Sequence, residues 1–308
     1  MQIEQVSLTD ETMSVSLLNY GAVTQGWWLD GTPLILGYEN PQDYLTDPYY
    51  LGAIVGRVAN RLGGGQFELH GICRKLDANE GENTLHGGSV GLSRQFWTIR
   101  QIAPNEAVLN YLSPDGEGGF PGNVDFQVRV LLHSPCLTYE IKATPDQATP
   151  ISVAQHNYFC LGSKLGASDL RVGVASNQFL EIDEAGIATG MRRDATEIGV
   201  GSPADQPSVD AEQDIDHFFV FDPKTQRRPV ATITAKTGLR LNVYSDQPGA
   251  QVYTGGHLSH PFPRNGGVCV EPSGYPNAVN VPGFPSVIHT PDNPYYQKLT
   301  LKIERGRD

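Results

Sequence analysis

The sequence predicts an all-β protein, a large antiparallel β-sandwich with few short helices. Three observations carry that prediction. Apolar residues alternate with a period of two in several segments. Clusters rich in Gly, Pro, Asp and Asn separate those segments. Clear amphipathic helical periodicity is hard to find anywhere in the chain, and Gly 34 and Pro 22 suit many strands joined by turns.

The elements follow in chain order. "FQVRVLL" sets Phe126, Val128 and Val130 on one face, and "LTYEIKA" does the same with Leu137, Tyr139 and Ile141. "LRLNVYS" repeats the pattern with Leu239, Leu241 and Val243, and "KLTLKIE" with Leu299, Leu301 and Ile303. Each reads as a half-buried strand, the kind that antiparallel sheets use when one face meets the core and the other meets water. Turns are expected at 113–123, 133–136, 144–150 and 245–251. Short helical turns are expected at Gln42 to Tyr49 and around Asp210 to Asp214. The polar stretch "GVGSPADQPSVDAEQD" at 199–214 reads as a long surface loop inside one domain, or as a linker. No composition shift marks a boundary and no fixed repeat occurs, so one domain of two packed sheets is expected over 1–308.

A net charge of −12 and a pI of about 5.1 argue against nucleic acid and anionic membrane surfaces, which need clustered Lys and Arg. A neutral small molecule is compatible with that charge. The N-terminal stretch has neither a basic n-region nor an apolar h-region, and no apolar run approaches the roughly 18 residues of a membrane span. Cys73, Cys136, Cys160 and Cys269 are far apart without CxxC pairing, which reads as four reduced thiols in a cytoplasmic protein. Either a monomer or a homodimer is expected.

Several polar clusters look out of place beside these strands. Asn60 and Arg61 follow the apolar run in "GAIVGRVANRLGGG"; its glycines lack the Lys-Ser/Thr of a phosphate loop. Arg61 is a surface ion-pair residue or a fork of donors for sugar hydroxyls or a carboxylate. His86, before two glycines in "NTLHGG", is a turn histidine or an imidazole against a ligand. His156 in "ISVAQHNYF" is a satisfied core histidine or a group that changes charge near neutral pH. Asp216 and His217 precede two phenylalanines in "DIDHFF", where solvated acids at a strand start are the default reading. Glu271 ends the apolar run Val268-Cys269-Val270, where a bare carboxylate is costly to bury without purpose. His257 and His260 in "HLSH" precede a proline, and neither HExxH nor GxSxG occurs, so no metal site or serine triad is expected.

Taken in order, "LNYGAVTQGWWLDG", "GAIVGRVANR", "ENTLHGG", "GLSRQFW", "DGEGGFPGN", "QHNYFCL", "EIDEAGIATG", "DIDHFF", "YTGG" and "CVEPSGYPNAVNVPGFP" resemble the aldose 1-epimerase (galactose mutarotase) family over most of the chain. The resemblance implies a galactose mutarotase-like sandwich that interconverts the α and β anomers of a free aldose. It implies Glu271 as catalytic base and His156 as catalytic acid. Asn60, Arg61, His86 and Asp216 take the place of the sugar-binding partners, and no cofactor or metal is implied. The chemistry asks for such a set. A base takes the proton from the C1 hydroxyl, an acid protonates the ring oxygen, the aldehyde turns about C1–C2, and closure reverses both transfers. His156 is expected to carry a proton in the productive state.

The chain departs from the family pattern at Cys160, Gly256, Ser273 and Asn277, which bears on the pocket rim and sugar preference rather than on acid and base. Two rival readings follow: an epimerase of a phosphorylated hexose, which needs an added Arg or Lys cluster, and a non-catalytic sugar-binding protein on the same fold.

Overall fold

A computed structural model describes residues 2–200, 208–210, 214–222 and 228–306. Period-two alternation builds two large antiparallel sheets. The nine-stranded sheet contains the hairpin-connected strands Val124–His133 and Cys136–Pro145, followed across the sheet by Tyr295–Arg305 and Leu239–Ser245. These include the four segments whose alternation was most regular. Phe126, Val128, Val130, Tyr139, Ile141, Leu241, Val243, Leu299 and Leu301 are all buried in one apolar cluster, which also takes in residues as distant as Leu8 and Ile303.

The six-stranded sheet is the one that positions the site. Its order is Tyr158–Phe159, Val268–Ser273, Gly249–Tyr253, Asp216–Val220, Gln178–Ile182 and Ala188–Asp194. One face contributes Val268, Val270, Ala250, Val252 and Phe219 to the large core. The sandwich arises because both sheets turn their apolar faces to this cluster. Four N-terminal strands, from Gln5–Asp10 to Thr32–Pro33, form a separate sheet.

Helical structure among the described residues is short and 3₁₀ in type. Pro41–Thr46 supplies the turn expected after Gln42, capped by the Asn40 side chain. The turn expected at 245–251 is shorter than its sequence suggests, because Gly249 already pairs with Val220 and Ser273. Inside the expected loop 199–214, Ser208–Asp210 is a strand paired to Leu170–Val174, so Asp210 is extended rather than helical. The remainder of the turn expected toward Asp214, at 211–213, lies outside the described residues, as do 201–207.

Candidate active site

The strand Val268–Ser273 alternates between two environments. Val268 and Val270 face the large core, whereas Cys269 belongs to a second apolar cluster with Tyr158. Glu271 shares the Cys269 face, two residues on. Pairing with Gly249–Tyr253 sets Gln251 opposite Glu271 and Tyr253 opposite Cys269, and Asp216 pairs with Tyr253 from the other side. Glu271, Gln251 and Asp216 therefore share one face of the sheet.

His156 reaches this face by the same logic. Tyr158 pairs with Cys269, and carrying that antiparallel register back by two residues puts His156 beside Glu271. Its main chain is held from the other side: the His156 N–H donates to the Ala53 carbonyl (2.9 Å) and its carbonyl accepts from Gly52 N–H (3.0 Å). His156 Nε2 stands 3.6 Å from Glu271 Oε2, and both residues are about 95 % buried, with 5 % and 4 % of their surface exposed.

Asn60, Arg61 and His86 come from a third region. Arg61–Leu62 pairs with Thr84–Leu85, which brings His86 back against Asn60. Asn60 and His86 both adopt left-handed backbone (φ 63° and 53°); asparagine tolerates this because its side chain can bond locally, as Asn60 Oδ1 does with Arg61 N–H (2.7 Å). The Asn60 N–H donates to His86 Nδ1 (3.1 Å) and the His86 N–H to the Asn60 carbonyl (3.1 Å). Gly87 follows at φ 88°, where a Cβ would lie 1.9 Å from the Gly56 carbonyl oxygen, so only glycine permits this approach. The His86 and His156 rings meet edge to face with centroids 5.4 Å apart.

Gln251 ties the regions together. Its Oε1 accepts from Asn60 Nδ2 (2.9 Å) and its Nε2 donates to Asp216 Oδ1 (2.6 Å). Arg61 takes up the ion pair that its sequence reading offered as one alternative. Nε and one Nη donate to the two Glu80 oxygens (2.6 and 2.8 Å), a bidentate pair. Three of the five guanidinium N–H groups remain for other partners.

Sequence reasoning thus names six residues, and the structure brings His156, Glu271 and His86 within reach of one another, with Asn60, Arg61 and Asp216 linked to them. It missed Gln251, Glu80 and Tyr50, whose ring packs 4.7 Å from His86 and 6.0 Å from His156. The signal for Gln251 was its place in "GAQVYTG", two residues before Tyr253 on one strand face. The departures play varied parts. Asn277 Oδ1 accepts from Gly63 N–H (3.1 Å), Ser273 Oγ donates to the Gly274 carbonyl (3.1 Å), Gly256 abuts Asp214, and the Cys160 thiol meets the Pro33 carbonyl (3.5 Å).

Burial governs the electrostatics. It raises the Glu271 carboxyl well above its ordinary 4.5, and the nearby Asp216 charge pushes the same way. Burial lowers His156 to about 4. His86 falls well below 6.5 through burial first, then through His156 and Arg61. In the free site burial therefore favours the proton on Glu271 over the imidazole. The sequence expectation of a protonated His156 concerns the productive state; in the free site desolvation disfavours the imidazolium.

His86, His156 and Glu271 place three ligand-type atoms within 4.8 Å of one another. A metal nevertheless fits this trio poorly. The Nδ1 lone pair of His86 receives the Asn60 N–H, so the neutral ring carries its proton on Nε2, a tautomer assigned from that bond. His86 then offers a donor rather than a ligand.

Outside this triad a groove of about 720 Å³ opens between Arg61, Glu80–Asn83, Ile182–Gly186, Asp214, Asp216 and His217. Six carboxylates line it and Arg61, already paired with Glu80, is its one Arg or Lys. No described helix is long and apolar enough to cross a membrane.

Comparison with known proteins bears on the family and the fold. The family profile described as Aldose 1-epimerase matches residues 4–302. The galactose mutarotase of Bos taurus is 32% identical over 98% of this chain and 94% of its own length. The aldose 1-epimerase of Haemophilus influenzae is 31% identical over 85% of this chain and 83% of its own. Among solved structures, the galactose 1-epimerase of Lactobacillus acidophilus superposes with a TM-score of 0.86 at 25% identity, covering 99% of both chains. An aldose epimerase homologue from C. elegans has the same fold, with a TM-score of 0.93 at 21% identity, covering 99% of this chain and 100% of that one. This chain belongs to the aldose 1-epimerase family.

Proposed function

We propose that the protein interconverts the α and β anomers of a free aldose at the His156–Glu271 pair, with Glu271 as base and His156 as acid. The observation that carries this reading is the 3.6 Å separation of Nε2 and Oε2. The two sugar oxygens that exchange protons, O1 and O5, sit on the same carbon, so acid and base must be neighbours. The gap is too long for a direct hydrogen bond, and it leaves both groups free to engage the substrate.

The proton count closes. With the pair as carboxylate and imidazolium, Glu271 takes the O1 proton while Nε2 gives its own to O5. The ring opens, and the pair is left as carboxylic acid and neutral imidazole. That is the protonation state burial favours in the free site. Rotation about C1–C2 and the reverse transfers give the other anomer, with no net proton gained or lost. Each positioned transfer contributes roughly 10²–10⁴ in rate. His86, as an Nε2–H donor, Asp216, as an acceptor, and Asn60 and Arg61 hold hydroxyls while C1 stays free to turn.

The acidic groove favours a neutral sugar over a phosphorylated one, because a phosphate entering it meets carboxylates and no free Arg or Lys among the lining residues. Four free thiols among the described residues suit a reducing, cytoplasmic setting.

The test is proton NMR of freshly dissolved α-galactose and α-glucose, with the wild-type protein and with Glu271→Gln. Wild type should accelerate exchange for at least one sugar. Glu271→Gln should lose about 10²–10⁴ of the rate. Sugar binding without acceleration by wild type would favour the non-catalytic rival, and full activity in Glu271→Gln would remove the base assignment.

A further inference from the structure

The far side of the His156 ring has a partner that the acid–base scheme does not use. Cys269 Sγ lies 3.6 Å from His156 Nδ1, and both groups are buried. This contact follows from the pairing that brings Glu271 to Nε2. Cys269 and Glu271 point to the same face of one strand, two residues apart, and so bracket the two nitrogens of the ring facing them.

We propose that Cys269 is a positioning residue for the anomer exchange: its sulfur accepts the Nδ1–H of His156, which leaves Nε2 as the nitrogen that gives and regains the proton. This rests on the reading of His156 as the acid. When Nε2 gives its proton to O5, the neutral ring that remains must carry hydrogen on Nδ1, because Nε2 takes the proton back on closure. An imidazole of the other tautomer has no lone pair at Nε2 and stalls the return step. Sulfur is a weak acceptor. A carboxylate in its place would stabilise the imidazolium and hold its proton too tightly. A thiol fixes the tautomer and favours the charged form less than a carboxylate would. The S–H bond itself neither forms nor breaks.

The groups that face the ring agree. Glu271 stands at Nε2; His86 and Tyr50 pack on it from two other segments, and Tyr158 from its own. Asp216 acts on it through Glu271, and Arg94 lies over Tyr50 on the side of that ring. Cys269 is the side chain of these in polar contact with Nδ1 among the described residues, and the ring also bonds to its own main chain. Its thiol is pushed up by burial first and then by Glu271 and Asp216, so it stays protonated and uncharged.

The experiment compares Cys269→Ala and Cys269→Ser with wild type, and reads kcat, KM, the pH profile and the melting temperature. Cys269→Ala should lower kcat by about tenfold with KM within about twofold. It should also move the acid limb of the kcat profile to lower pH, because the imidazolium loses an acceptor. Cys269→Ser should restore rate and limb toward wild type. Equal loss in Ser and Ala, or an unmoved limb in Ala, would overturn the proposal in favour of a packing role.

Should Cys269→Ala not fold, ¹⁵N spectra of wild type decide. Near neutral pH the His156 ring should carry its hydrogen on Nδ1, and hydrogen on Nε2 would overturn the proposal. His156→Gln keeps the two levels apart. If it is inactive while Cys269→Ala behaves as wild type, only the role of Cys269 fails; if it is fully active, the assignment of the acid fails.

Discussion

The two faces of the six-stranded sheet are made by the same strands and follow opposite rules. Val268, Val270, Ala250, Val252 and Phe219 point one way, into the large apolar core. Cys269, Glu271, Gln251 and Asp216, alternating with them, point the other way. Both faces are largely buried: Val270 and Glu271 are exposed by 1 % and 4 %. Burial of Val270 stabilises the fold, by roughly 1.5–3 kcal/mol for a fully buried apolar side chain. Burial of Glu271 opposes ionisation, and that same cost raises its basicity. Neighbouring residues on one strand thus use one physical effect for opposite ends, and the rigid core face holds the reactive face in register.

The sharpest way to break this comparison is to remove the charge from the reactive face. Glu271→Gln should abolish most catalysis, as above, without harming the fold. Its stability should also respond to pH in a set direction. The Glu271 carboxyl titrates higher when folded than its ordinary 4.5. Its contribution is therefore fully present below about 4.5 and is lost as pH rises through the folded value. The melting temperature of Glu271→Gln should gain on wild type as pH is raised above that point. His156 has the opposite sign: with a folded value of about 4 against 6.5, its contribution is present above 6.5 and lost as pH falls toward 4. A melting-temperature difference that is flat across this range would show that Glu271 is not desolvated in solution.

Val270→Ala is the converse change, one residue away. It removes two buried carbons at about 0.8 kcal/mol each and leaves a cavity, for a loss of roughly 2–3 kcal/mol. Denaturant unfolding should show that loss while kcat per folded molecule stays near wild type. A large fall in kcat would mean that the two faces are coupled more tightly than their alternation suggests.

Gln251→Leu sharpens the comparison within the reactive face. It removes the bonds that orient Asp216 and Asn60. Since both partners are only half-buried, water can replace part of what is lost, at a cost of about 1 kcal/mol each. KM should rise more than kcat falls, since Asp216 and Asn60 hold hydroxyls rather than exchange protons. A fall in kcat alone would place Gln251 in the proton-transfer step.

How much of this was legible in the sequence depends on strand length. The long strands of the nine-stranded sheet, such as Val124–His133 and Tyr295–Arg305, run ten or eleven residues and display their period openly. The strands that carry the site are short. Ala154–Gln155, Tyr158–Phe159 and Arg61–Leu62 have two residues each, too few to show alternation, so Asn60, Arg61 and His156 stood out as polar residues beside apolar runs and took roles only through a family resemblance. Gln251 and Glu80 had no such signal. Their roles come from pairing between distant segments, Gln251 against Glu271 and Glu80 against Arg61, and a register of that kind is written in no single stretch. Glu271 stood out because a carboxylate closing an apolar run conflicts with its surroundings, and such conflicts gather at functional sites.

The smallest expected effect lies at the mouth of the groove. The Arg61–Glu80 pair has good bidentate geometry, but its side chains are 23 % and 37 % exposed. Solvent screens such a pair to about 0.2–1 kcal/mol. Glu80→Gln should therefore leave the melting temperature nearly unchanged. Its mark should be on binding. Without the second carboxylate oxygen the Arg61 fork has one strong acceptor fewer and more rotamers open to it, so KM should rise by a few-fold at most while kcat holds. Added salt should narrow the gap between variant and wild type, since it weakens the ion pair that the variant lacks. A kcat defect approaching that of Glu271→Gln would instead carry the reactive face out to residue 80, and the division between buried chemistry and exposed grip would have to be redrawn.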